Sequence, residues 1–176
     1  VNAVAAMASP RSRPGAITFR DAMAHVATPV SVVTTVDRGG KAWGVTVGTL
    51  CSLSLAPPLV MFSLDRSCGS HAVMSTADRI LIHVLRDDQL AVARRFSQPG
   101  IDRFAGLSGD WHGLPTIPDT ALRLACTRHA IAQAGDHTIV MCLVNEAQVG
   151  TGRPLLYYLR EYCSPLSGRL GDARSR

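Results

Sequence analysis

Gly44-Val45-Thr46-Val47-Gly48-Thr49-Leu50-Cys51-Ser52-Leu53-Ser54-Leu55-Ala56-Pro57-Pro58 decides how the chain is read. Its second half alternates apolar with small polar residues, the period of a half-buried strand. Its first half sets Thr46, Gly48 and Thr49 where side chains are small and backbone N–H groups lie open. A flat ligand can rest against such a segment and take hydrogen bonds from amides and hydroxyls without steric conflict. An ordinary strand rich in serine and threonine accounts for the same letters, so the rest of the chain must choose. Pro57-Pro58 ends the pattern, because proline has no N–H to give a sheet ladder.

On the N-terminal side, residues 30–36 are almost wholly β-branched and predict a strand. Asp37-Arg38-Gly39-Gly40 turns it into a hairpin with residues 42–50. Ahead of it, Thr18 with Asp21 three residues on predicts an N-cap and a short helix over 19–26. Its apolar face is Phe19, Ala22, Met23 and Val26, and Pro29 ends it. Residues 1–16 read as a flexible leader.

On the C-terminal side, residues 59–64 predict a third strand, apolar on both faces and therefore buried. Asp65-Arg66-Ser67-Cys68-Gly69-Ser70-His71 is a loop of hydroxyls, amides and one guanidinium leading into a helix at 71–75. That composition suits an anion site, and it equally suits a common Ser/Gly loop. Residues 79–85 predict a fourth strand. A helix begins at Asp87-Asp88-Gln89, with Leu90, Val92, Ala93 and Phe96 inward and Arg94 and Arg95 outward. Residues 106–118 read as a long loop carrying Trp111 and His112, a length that usually signals function. Residues 120–129 and 137–149 are further strands joined through Gly135-Asp136, residues 154–159 a last strand, and 164–176 a polar tail.

Six or seven short strands, one or two helices and turn-like connections make an antiparallel barrel, not an alternating βαβ chain. No Gly-x-Gly-x-x-Gly follows a strand, so a Rossmann fold is not supported. The 176 residues, 47% hydrophobic, suit one domain over 17–163. The net charge is +5, but residues 1–16 and 164–176 each contribute +2, which leaves +1 for everything between. A nucleic-acid groove needs a basic stripe and is not expected. Five cysteines without a Cys-x-x-Cys predict buried free thiols in a reducing compartment. No apolar run reaches bilayer length, so a soluble cytoplasmic protein without a membrane partner is expected. Lys41 is the only lysine beside many arginines, a bias that hints at a bacterial secondary-metabolic or catabolic setting.

The six histidines are scattered, and none forms a metal-ligand pair with a third group nearby, so no metal is expected. No Gly-x-Ser-x-Gly elbow or carboxylate pair occurs. His137, in Gly135-Asp136-His137-Thr138-Ile139, stands at the start of an apolar strand. Asp136 can orient its ring or simply cap the turn.

These residues, taken in order, resemble the short-chain flavin reductases of the flavin reductase-like, FMN-binding split-barrel superfamily. The matching features are Phe19-Arg20-Asp21-Ala22-Met23, Val32-Val33-Thr34-Thr35 and Gly44 through Leu50. They continue with Ser52-Leu53-Ser54-Leu55-Ala56-Pro57-Pro58-Leu59, Val84-Leu85 with Gln89, Arg95-Phe96 and Asp102-Arg103-Phe104. Gly113-Leu114-Pro115, Gly135-Asp136-His137 and Pro154-Leu155-Leu156-Tyr157 complete the series.

The resemblance covers roughly residues 18–162. It implies a mainly β fold, a six-stranded antiparallel Greek-key split barrel with a few flanking helices, usually a homodimer with flavin near the interface. It further implies an NAD(P)H:flavin oxidoreductase that reduces FAD or FMN with NADH or NADPH and supplies reduced flavin to a separate oxygenase. A carrier or sensor on the same barrel is the alternative. By the same resemblance Thr46, Val47, Gly48 and Thr49 contact the isoalloxazine, with Ser52 helping. Ser63, Asp65, Arg66, Ser67 and Ser70 take the ribityl and phosphate end. Arg103 and Phe104 flank the pocket, and His137, with Asp136, meets the nicotinamide as the catalytic-site histidine. Pro29, His83, Cys51 and Cys68 depart from the family's pattern.

Overall fold

The structure, a computed structural model, describes residues 17–165. The expected leader and residues 166–176 of the expected tail lie outside the described residues. Three helices, α1 (Phe19–Met23), α2 (His71–Met74) and α3 (Leu90–Ser97), accompany twelve strands. These are β1 (Thr28–Pro29), β2 (Ser31–Val36), β3 (Ala42–Val47), β4 (Cys51–Leu55), β5 (Pro58–Asp65), β6 (Arg79–Val84), β7 (Asp110–Trp111), β8 (Leu114–Pro115), β9 (Leu122–Ala134), β10 (His137–Val149), β11 (Leu156–Tyr158) and β12 (Glu161–Cys163).

The principal sheet is antiparallel, in the order β3-β2-β6-β9-β10-β5-β4. Its two edges, β3 and β4, are consecutive in the chain, with only Gly48-Thr49-Leu50 between them. A flat sheet of that width would hold its edges roughly 29 Å apart, whereas that linker reaches roughly 14 Å. The sheet therefore has to curl shut, and the residues 48–50 form its seam. Thr49 ties the seam to β5, its Oγ1 accepting the Ser63 backbone N–H at 2.8 Å. The sheet has seven strands, within the six or seven read from the residues and one more than the resemblance implies, because the opening stretch is parted here into β3 and β4.

The barrel interior is filled by Val33, Val45, Val47, Phe62, Ile80, Ile82 and Val140 among others. Each such side chain contributes about 1.5–3 kcal/mol by leaving water. A second cluster seats α3 on the outside, Ala93 and Phe96 packing against Val30, Val32, Leu85 and Leu155.

Several expectations are corrected. Thr18 does cap α1, its hydroxyl accepting the Asp21 N–H at 3.1 Å, but the helix stops at Met23 and buries none of its residues. β4 is an exposed edge strand rather than a half-buried one. β5 buries only Phe62 and Leu64, because Met61, Ser63 and Asp65 point outward. The long loop folds into the β7–β8 hairpin. The last strand is really the β11–β12 hairpin, with β1 alongside. All five thiols are free, but only Cys126 and Cys142 are buried. No helix among the described residues is long and apolar enough to cross a membrane.

Candidate functional site

The expected site residues fall into two connected groups on either side of the seam. The first lies where β5 ends and β10 begins. Asp65 and His137 are directly opposed across the two strands, and Ser63 opposes Ile139 on the same outward face. Gly135, at φ 62°, makes the tight β9–β10 turn that a side chain would strain. Asp136 Oδ1 lies 2.7 Å from His137 Nδ1. The carboxylate thus favours a proton on Nδ1 and leaves Nε2 for other partners. The same hydrogen bond, followed by charge attraction, holds the Asp136 carboxyl below its ordinary value.

Asp65 caps its own turn, accepting the Ser67 N–H and the Ser67 hydroxyl, both at 2.7 Å. The hydroxyl bond is the largest cause of a lowered Asp65 pKa. The Arg66 N–H donates to the Asp136 carbonyl at 3.0 Å, which locks the two turns together. The Arg66 side chain itself stands exposed. Thr49 joins this group through Ser63, and Ser52, exposed on β4 opposite Val60, continues it along the edge.

The second group is knitted to α3 and its following loop. The Thr46 hydroxyl donates to the Ala93 carbonyl at 2.8 Å. Arg103 donates to the Gly44 carbonyl, the Ser70 hydroxyl and the Gln98 carbonyl. Phe104 meets Phe96 edge-to-face, ring centroids 5.1 Å apart. Thr46, Ser70, Arg103 and Phe104 are therefore each engaged by other parts of the protein. Val47 is buried in the barrel, and Gly48 carries no side chain where a Cβ would lie 3.3 Å from Thr28 Oγ1.

Between the groups runs the seam. Among the described residues, the amide N–H groups of Gly48, Thr49 and Leu50 have no backbone or side-chain acceptor. Three free donors on a barrel rim, beside exposed hydroxyls, suit the polar edge of a planar, electron-rich ligand. Sequence reasoning missed that Val30, Ser97, Tyr157 and Tyr162 line a groove of about 220 Å³ together with Thr46, Val47 and Gly48. Tyr162 was hidden by the unexpected β11–β12 turn.

A hollow of about 740 Å³ lies by the β2–β3 turn and α2 and includes none of the expected site residues. Its size alone gives it no chemistry. His83 is wholly buried and bonded to Val32 and Thr116, so that departure from the family pattern lies away from the seam. Cys51 is exposed on β4, Cys68 packs against the barrel core, and Pro29 pairs with Leu156. No cluster among the described residues has the make-up of a metal site.

Comparison with known proteins matches the flavin reductase like domain over residues 23–165. The NADH:riboflavin 5'-phosphate oxidoreductase of Streptomyces pristinaespiralis is 40% identical over 156 residues, covering 86% of this chain and 89% of that protein. The reductase component of the 4-nitrophenol 4-monooxygenase/4-nitrocatechol 2-monooxygenase of Rhodococcus opacus is 35% identical, covering 80% and 76%. The NADH:FAD oxidoreductase of Streptomyces globisporus C-1027, solved with NAD and FAD fragments, superimposes with a TM-score of 0.77 at 26% identity, covering 85% and 93%. A match across most of the chain, on a barrel whose seam presents free amides, leaves one conclusion: the chain belongs to the flavin reductase-like family.

Proposed function

We propose that this protein is an NAD(P)H:flavin oxidoreductase that reduces FMN or FAD and supplies the reduced flavin to a separate monooxygenase. The observation that carries this reading is the row of unpartnered amides at Gly48, Thr49 and Leu50 beside the exposed Ser52 and the half-buried Ser63. Bound flavin would supply the redox chemistry, as the two-electron acceptor for the hydride of a reduced nicotinamide. The chain's own residues position the partners. The seam amides hold the pyrimidine edge and favour negative charge on it. The turn formed by Asp65, Arg66 and Ser67 offers the exposed Arg66 guanidinium to the phosphate end. His137, oriented by Asp136, meets the nicotinamide. Hydride transfer between the two rings needs no acid or base from the protein.

Relatives named for NADH and for riboflavin 5'-phosphate or FAD support this choice of substrates, and one named as a monooxygenase reductase component supports the oxygenase partner. A homodimer fits the exposed apolar face of α1, where Phe19 is 82% and Met23 47% exposed. The unpaired thiols agree with a reducing, cytoplasmic setting.

The deciding experiment is NADH and NADPH oxidation by the purified protein with and without added FMN or FAD. Turnover that requires free flavin supports the reductase. Flavin binding without turnover under any pairing would instead mark a carrier, and no flavin binding would end both readings.

A further inference from the structure

His137 is the first residue of β10, and the end of a strand ladder is where it frays most readily. One short stretch of chain, joining β5 to the start of α2, grips that end on both sides of His137. The Arg66 N–H donates to the carbonyl of Asp136, the residue before it, at 3.0 Å. The His71 ring crosses to the residue after it, placing Nε2 2.9 Å from Thr138 Oγ1.

Packing alone does not require the second contact. Thr138 lies on the inward face of β10 with Val140 and Cys142, and like them it is wholly buried. Valine would fill that place with the same shape and no polar atom to satisfy. A buried hydroxyl costs free energy unless it is hydrogen-bonded. Its near partner here is His71, since Gln133 Oε1 stands off at 3.4 Å. Nor does α2 need this bond as an anchor, because its Met74 is fully buried in the barrel core. Asp65 marks how close the two imidazoles lie. Its carboxyl is held low first by the Ser67 hydroxyl and N–H, and then by attraction to both His137 and His71.

We propose that His71 is a positioning residue, which through Thr138 fixes the setting of His137 toward the nicotinamide. This rests on the reading of His137 given above. Arg66 and His71 pin the backbone on either side, while Asp136 orients the ring between them. Loss of the His71 contact frees the strand end, and a histidine displaced by about 1 Å meets its partner poorly. In this role His71 needs no contact with nucleotide or flavin.

The test measures the NADH KM at saturating flavin, and the flavin Kd by fluorescence, for His71→Ala, His71→Gln and Thr138→Val. His71→Ala is also combined with Thr138→Val and with His137→Ala. His71→Ala and Thr138→Val should each raise the KM by about threefold to tenfold, the effect of one lost hydrogen bond. The flavin Kd should move less than about twofold in both. His71→Gln, which keeps an amide at similar reach, should stay within about twofold of wild type. The pair with Thr138→Val should do no more than the larger single change, and His71→Ala should lose its effect once His137 is alanine. A KM that His71→Ala leaves unchanged overturns the proposal. So does an equal rise with His137 present or absent, or a flavin Kd that climbs in step with the KM, which would leave His71 a structural part of the turn. If His137→Ala by itself leaves the KM unchanged, the reading of His137 has failed and takes the proposal with it, a result visible in that single variant.

Discussion

Arg103 Nη1 lies 2.6 Å from the carbonyl oxygen of Gly44, joining the loop after α3 to the third strand of the barrel. The same nitrogen reaches the buried Ser70 hydroxyl at 3.0 Å. One guanidinium therefore clamps β3, the turn before α2 and the end of α3.

Replacing Arg103 by lysine keeps the charge and loses the planar fork that serves three acceptors. We expect a loss of about 1–3 kcal/mol in unfolding free energy, from acceptors left without donors. Denaturant unfolding measures it. Unchanged stability would mean the clamp is idle.

Gly44 has no room for a side chain. A Cβ there would stand 2.4 Å from Phe96 Cε1 and 3.0 Å from Phe104 Cζ. Phe96 is fully buried and cannot step aside. Gly44→Ala should cost about 1–3 kcal/mol by overpacking, and adding Phe96→Leu should recover part of it. Thermal melts of the single and double variants check this.

His83 is buried, and desolvation pushes its pKa down from 6.5 to about 4. The unfolded chain takes up this proton below about pH 6.5, whereas the folded chain resists until about pH 4. Stability is thus undiminished above the unfolded value and falls as the pH drops through that window, by about 3 kcal/mol in all. His83→Asn should flatten the pH dependence of unfolding between those limits. An unchanged slope would assign the acid sensitivity to other groups.

His137 should matter for the nucleotide and little for the flavin. We expect His137→Ala to raise the KM for NADH tenfold or more while the flavin Kd moves less than twofold. Steady-state kinetics beside a flavin titration separates the two. Equal turnover and equal KM would remove His137 from the mechanism.

The parts legible in the sequence were those written in periodicity and turn chemistry. The Asp37–Gly40 turn and the β-branched run before it specify the β2–β3 hairpin locally, and the apolar spacing of Leu90, Ala93 and Phe96 specifies α3. The break at Gly48-Thr49-Leu50 was not legible, because an alternating pattern continues through it and only closure of the sheet requires the bend. Arg103 and Phe104 were expected at the pocket's flank, yet their partners Gly44, Ser70 and Phe96 are far away in the chain, so these contacts appear only on folding. Asp136 and His137 could be read as a pair because they are adjacent. Their position opposite Asp65 depends on the β5–β10 register, which no local signal encodes.

The seam also constrains the order in which this molecule can assemble. The β9–β10 hairpin lies mid-sheet and splices the unit of β2, β3 and β6 to the unit of β4 and β5. Until that late hairpin docks on both, Val47 and Ser63 belong to separate pieces of chain. These long-range pairings make closure a slow, high-contact-order step. A ligand that grips both sides of residues 48–50 binds only the finished barrel, and by mass action it protects the whole molecule from opening.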